Sequence, residues 1–175
     1  MPAADAQAAH DLPDIDAEAI AGATVLLVDD HEQNLELLQA YLEELGCKIA
    51  LARDGQAAVE MVEKRPPDLV LLDVMMPKLS GYQVCEKIKS DPDTREIPVI
   101  MVTALGEISD VERAVDVGAD DFLTKPVHQI ELVTRVKSLL RVRLLKRQLA
   151  EALQRVKELD VRRRPGDDAR GDDDE

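Results

Sequence analysis

Three aspartates end apolar runs in this chain, and together they carry its most reactive chemistry. Asp29 and Asp30 close "TVLLVDD", and Asp73 closes "DLVLLD". Thr103 ends a third run, "IPVIMVTA", and Lys125 follows a fourth, "FLTKP". Two carboxylates about 4 Å apart repel by about 4 kcal/mol at an effective dielectric near 20, so three gathered at one place call for a cation. Lys125 offsets only part of that charge, which leaves room for a divalent ion. All-oxygen ligands with open positions favour Mg2+, which keeps waters and accepts phosphate oxygens. Beside such an ion, Asp73 is a nucleophile suited to an activated phosphoryl group. Lys125 would offset charge on the transferring group and Thr103 would donate to one of its oxygens. The apolar residues after Asp73 are expected to restrict water, so that an acyl phosphate persists.

Bringing these groups together requires a particular set of elements. Strand one begins at Thr24 and is followed by a helix with Leu35, Leu38, Leu42 and Leu45 on one face, closed by Gly46. "CKIALA" reads as strand two, and "GQAAVEMVEKR" as a helix stopped by Pro66 and Pro67. "DLVLLD" is strand three, and the helix from Gly81 to Ser90 buries Val84 and Ile88. "IPVIMVTA" is strand four, "EISDVERAVDVG" a helix ending at Gly118, and "DDFLTKP" a brief strand five. From Val127 to about Arg163 the pattern is continuously helical. Strands alternating with helices predict an α/β fold, a flavodoxin-like doubly wound five-stranded parallel sheet of order 2-1-3-4-5 with a long C-terminal helix. Ligands of such sheets bind outside the carboxyl ends of the strands, where the five candidate groups fall.

Composition narrows the function. The chain of 175 residues has a net charge of −14, no Trp, one Phe and two Tyr. That argues against non-specific DNA binding and leaves few surfaces for base stacking. No apolar stretch reaches the ~20 residues that span a bilayer, and the N-terminus lacks the pattern of a signal peptide. A cytoplasmic protein is expected, with Cys47 and Cys85 as reduced structural thiols. Residues 1–22 read as a disordered leader, 23–140 as the folded domain, 141–163 as a helical extension and 164–175 as a disordered acidic tail. Arg141, Arg143, Lys146 and Arg147 read as a solvated helix face, with no direct DNA binding expected. His10 and His128 are isolated, and His31 reads as a helix-start residue near the acids rather than as a ligand.

The set "VDD" (28–30), "LLDVMMPKLSG" (71–81), "TA" (103–104) and "FLTKP" (122–126) resembles the CheY-like receiver domain of bacterial two-component response regulators, over roughly residues 24 to 140. The resemblance implies that Asp73 is the phosphoacceptor and that Asp29, Asp30, Asp73 and the backbone carbonyl of Met75 hold Mg2+. It implies a switch formed by Thr103 and Phe122, an invariant-lysine role for Lys125, and a cis bond before Pro126 that aims Lys125 inward. The phosphoryl donor would be a histidine kinase or phosphotransfer protein, and the output an unidentified downstream effector protein. The details most resemble receivers that precede cyclase or phosphodiesterase domains. Nothing after about residue 163 would form such a domain, so a single-domain response regulator is expected: a self-phosphorylating switch rather than a turnover enzyme.

Alternatives stay open. The chain could be a phosphorelay intermediate, or a structural dimerisation module with a residual site. A small-molecule phosphatase or phosphotransferase of the same fold would want an Asp two residues past the nucleophile, where Met75 stands. Met75 and Leu105 are both apolar and flank the expected path of attacking water, which predicts slow autodephosphorylation. On the extension, Val142, Leu145, Leu149, Ala152, Val156 and Leu159 keep 3-4 spacing for about two and a half heptads. Both a single amphipathic helix and a parallel pair joining two copies fit that pattern.

Overall fold

A computed structural model describes residues 15–104 and 108–162. Five parallel strands, β1 (Thr24–Val28), β2 (Lys48–Ala52), β3 (Leu69–Asp73), β4 (Val99–Thr103) and β5 (Asp121–Thr124), form one sheet in the order β2-β1-β3-β4-β5. Strands β3 and β4 are buried at every position, because helices cover both faces of the sheet. Their sequences are accordingly unbroken apolar runs rather than alternating ones. The edge strands β2 and β5 are only partly buried.

The helices are α1 (Ile15–Gly22), α2 (Glu32–Leu42), α3 (Gly55–Lys64), α4 (Gly81–Ser90), α5 (Ile108–Asp116) and α6 (Gln129–Arg162), with a 3-10 turn at Glu43–Leu45. Leu35, Leu38 and Leu42 of α2 are buried, as the spacing predicts. Gly46 closes that region at φ 66°, a left-handed conformation that glycine adopts without steric cost. Asp54 caps α3 by accepting from Ala57 N at 2.7 Å. Ser80 and Gln83 form a reciprocal capping box at the start of α4.

At the amino edge of the sheet, Lys89 ties three segments together. Its Nζ donates to the carbonyls of Arg95 (3.1 Å) and Ile97 (2.7 Å) and to Asp120 Oδ2 (2.7 Å), which also accepts from Val99 N. On the far side of β5, Arg135 of α6 binds both oxygens of Asp121. Leu132, Val136 and Leu140 of α6 are buried.

The expected leader needs correction over its last eight residues, which form α1 instead of a disordered segment. Ile20 is buried there, Ala23 N bonds back to Ile20 O, and α1 packs against the 3-10 turn. The Ala-rich segment has helix propensity without periodicity, and one buried isoleucine anchors it. Residues 1–14 and 164–175 lie outside the described residues, and so do the expectations placed on them. One compact unit ends at Arg143 and a second begins at Leu144. Within the second unit, Leu145, Leu149, Leu153, Val156 and Leu159 are exposed.

Candidate functional site

Strand pairing alone decides which loop ends become neighbours. Val28 pairs with Leu72, Asp73 with Val102, and Thr103 with Thr124. The residues following those positions therefore meet at the carboxyl edge of the sheet. Asp29 is 1% exposed, Asp73 4% and Thr103 fully buried, while Lys125 is about one-quarter exposed.

Lys125 is the hub. Its Nζ stands 3.0 Å from Asp73 Oδ1 and 3.3 Å from Asp29 Oδ2, so one ammonium bridges two buried carboxylates. Its backbone N–H donates to Thr103 O at 2.7 Å, and the Lys125–Pro126 bond is cis, as the resemblance implied. Burial raises the Asp73 carboxyl above its ordinary value. The Lys125 hydrogen bond opposes this, and the charges of Asp29 and Asp30 add to it. Burial works against the Lys125 charge, but hydrogen bonding and attraction to Asp73 and Asp29 outweigh it and hold the ammonium above its usual range.

Asp29 is held from several sides. Its Oδ1 accepts from His31 N (2.9 Å), and its Oδ2 from Asn34 Nδ2 (2.9 Å) and Lys125. Asn34 escaped the sequence reading. Its signal was its place in the first turn of α2, where a short amide can turn back toward the preceding strand end. Asp30 is one-quarter exposed, yet its Oδ1 is buried and makes no hydrogen bond, although His31 Nδ1 lies 3.0 Å away.

Among the described residues, one tight group of side chains could hold a metal ion. The atoms that lie within 4.8 Å of one another belong to Asp29, Asp30 and His31. Asp73 lies near enough for the charges of Asp29 and Asp30 to act on its carboxyl, and its Oδ1 faces Lys125. His31 is the helix-start residue it was read to be, the N-cap of α2, but it makes no side-chain cap bond and turns its imidazole to the acids. The Oδ1 of Asp30, buried and without a hydrogen bond, and the hard oxygen donors around it suit a divalent cation such as Mg2+, with Asp29 and Asp30 among its holders.

The apolar wall expected after Asp73 is partly corrected. Val74 and Met76 turn into the core, whereas Met75 is 60% exposed and does not close over the site. Asp73 is buried by its place in a central strand. Leu105, the other expected flank of the water path, lies outside the described residues. Phe122 is half-buried, opposite Met101 on β4 and packed against the core.

Two contacts fix the loop between Asp73 and α4. Gly81 N–H donates to Val74 O at 3.0 Å, and a Cβ on Gly81 would overlap the Asp73 carbonyl. One residue on, Tyr82 lies under the Arg113 guanidinium at 4.4 Å and its hydroxyl donates to Asp110 O at 3.4 Å, joining α4 to α5. A groove of about 400 Å³ opens beside the acids, walled by Leu37, Tyr41, Pro126 and Val127.

Comparison with known proteins agrees with this geometry. The family model described as response regulator receiver domain matches residues 25–137. Response regulator PleD of Caulobacter vibrioides is 46% identical over 123 residues, covering 70% of this chain and 27% of that protein. The chain spans less than half the length of the curated relatives it matches. Among solved structures, the signal receiver domain of a histidine kinase from Syntrophus aciditrophicus is 41% identical with a TM-score of 0.65, covering 69% of this chain and 91% of that one. A sensor histidine kinase receiver domain from Pseudomonas aeruginosa, solved with magnesium in its active-site cleft, is 32% identical with a TM-score of 0.63, covering 68% and 98%.

Proposed function

The chain belongs to the response regulator receiver family, and on that premise we propose that it takes a phosphoryl group onto Asp73 from the phosphohistidine of a histidine kinase or phosphotransfer protein. The observation that carries this reading is the single ammonium of Lys125 shared between Asp73 and Asp29 at the carboxyl edge of the sheet. An Asp73 carboxylate oxygen forms the new P–O bond as the P–N bond of the donor breaks, and that electron pair returns to the imidazole nitrogen. Lys125 offsets charge on the phosphoryl oxygens, and the Thr103 hydroxyl donates to one of them. Mg2+, held by Asp29 and Asp30, would supply further charge neutralisation for the same oxygens.

Phosphate at Asp73 would draw Thr103 toward it and let Phe122 sink further, changing the surface formed by α5 and β5. This is a shift between two states, so the phosphate must favour one of them by several kcal/mol to act sharply. The output is then a phosphorylation-dependent protein contact, made by a switch that is used once per signal. Met75, two residues beyond Asp73, offers no polar group to align an attacking water, which supports a long-lived phosphorylated form. Among the described residues no helix is long and apolar enough to cross a membrane.

The test is incubation of the full chain with acetyl phosphate and Mg2+, read by intact mass. A gain of one phosphoryl group that vanishes in Asp73→Ala supports the reading, and a gain that survives it places the chemistry elsewhere. A second reading concerns assembly. Leu145, Leu149, Val156 and Leu159 are exposed at heptad spacing, and a second copy of the same helix is the partner that would cover them. Sedimentation with a stable phosphate mimic that returns only monomer would eliminate this pairing.

A further inference from the structure

We propose that the corner between β2 and α3 is a positioning element of the site, with Gly55 seating the loop that follows Asp73 and Arg53 holding the start of α2. The inference rests on the reading that Asp73 accepts the phosphoryl group, and it adds residues that supply none of the reacting atoms.

Gly55, the first residue of α3, does not need to be glycine for its backbone, since its φ lies outside the left-handed region. It needs to be glycine for space. A Cβ there would stand 2.7 Å from Leu79 O, 2.9 Å from Leu79 Cβ and 2.8 Å from Val84 Cγ2. Leu79 belongs to the loop that leaves Asp73 and returns at Gly81. Lys78, just before it, has φ 67°, and Leu79 N–H closes a tight turn onto Pro77 O at 2.8 Å. A non-glycine residue keeps that conformation only where its surroundings impose it. Here Leu79 packs on the core with its backbone against Gly55, and that seat holds the turn.

The same corner reaches the acids from its other side. Ala52 O, at the end of β2, accepts from Asp29 N at 3.2 Å. Arg53 binds both carboxylate oxygens of Glu32, the first residue of α2, at 2.6 and 2.8 Å. Residues 52–55 therefore touch the segment that carries Asp29 and the loop that carries on from Asp73. Lys125 can bridge those two carboxylates only while their separation is kept. A displacement of about 1 Å at reacting groups costs about 100-fold in rate, so a brace between the two segments matters to the chemistry.

The rival account for Gly55 is packing that serves stability alone, and for Arg53 a simple field effect on an anionic phosphoryl donor. The full chain is phosphorylated with acetyl phosphate and Mg2+ and followed by intact mass, with urea unfolding of each variant alongside. Gly55→Ala is expected to lower the saturating rate about tenfold or more, with KM for acetyl phosphate little changed. Met61→Ala, near the other end of α3 and packed against the core, should lose stability at an unchanged rate. Arg53→Gln and Glu32→Gln form a second arm that leaves the fold standing, because the pair is exposed. A brace predicts that each slows the reaction several-fold and that the double variant is no slower than either single. Opposite signs in the two singles reveal a field effect and overturn the role of Arg53. A folded Gly55→Ala at the wild-type rate, or a Met61→Ala that slows as much, overturns the role of Gly55. If Gly55→Ala does not fold, the paired Gln variants decide. A wild-type chain that gains no phosphoryl group on Asp73 fails the underlying reading instead.

Discussion

Gly81 and Asp73 meet backbone to backbone, so closely that a Cβ on Gly81 would overlap the Asp73 carbonyl oxygen and stand 2.8 Å from Val74 Cα. The contact returns the chain to the end of β3 just after it leaves. Gly81→Ala must therefore move the strand end that carries Asp73. The expected cost is about 1–3 kcal/mol of stability, from overpacking against backbone that cannot rotate away. A misplacement of about 1 Å at the nucleophile should slow acetyl phosphate transfer by up to about 100-fold. Urea unfolding and the rate of mass gain measure the two effects. An unaltered rate in a folded variant would show that this approach does not position Asp73.

Lys125 competes with a cation for the same carboxylates while serving the transferring phosphoryl group. The two roles separate in Lys125→Met. Mg2+ should bind several-fold more tightly, because the acids lose their internal counter-charge, while phosphorylation of Asp73 slows sharply. Calorimetry and intact mass together report this opposite movement. Weaker Mg2+ binding in the variant would mean that Lys125 organises the carboxylates rather than competing for them.

Met75, two residues beyond Asp73, is 60% exposed. Met75→Asn replaces an apolar group by an amide that can align water, and the phosphorylated protein should lose its phosphate several-fold faster. The decay of the phosphorylated mass after removal of acetyl phosphate is the measurement. Equal lifetimes would show that the apolar residue does not set the clock.

Cys85 is fully buried, and its thiol donates to Val117 O at 3.6 Å. Burial pushes the thiol up to about 11 from its ordinary 9.0, with Lys89 lowering it and Asp120 raising it in smaller measure. The unfolded chain therefore gives up this proton at lower pH than the native one. Its contribution to stability is whole below about pH 9, fades by about 1.4 kcal/mol per pH unit, and is gone above about pH 11. Urea midpoints across that range should fall more steeply in the wild type than in Cys85→Ala. Parallel curves would assign the alkaline loss to other groups.

Much of the fold was legible because a parallel sheet buried on both faces demands unbroken apolar runs. "VLLV", "LVLL" and "VIMV" each stand directly before a residue of the site. Period and punctuation placed α3 between Gly55 and the Pro66–Pro67 stop, and α4 from Gly81 to Ser90. Segment α1 was missed because it has no periodic face, and Ile20 is its buried anchor.

What the sequence determined by itself was the inventory: which side chains end which strands, and hence which acids, hydroxyl and ammonium share one edge. Strand alternation and charge carry that information locally. Only the tertiary structure decided how the charges are partitioned. It set Lys125 between Asp73 and Asp29, put His31 Nδ1 3.0 Å from Asp30 Oδ1, brought Asn34 back to Asp29, and joined Lys89 to Asp120 across 31 residues. The physical reason is that a carboxylate finds its partner within a few ångströms. Over such distances, the packing of neighbouring elements and the rotamers of individual side chains choose the partner, and no local pattern records that choice.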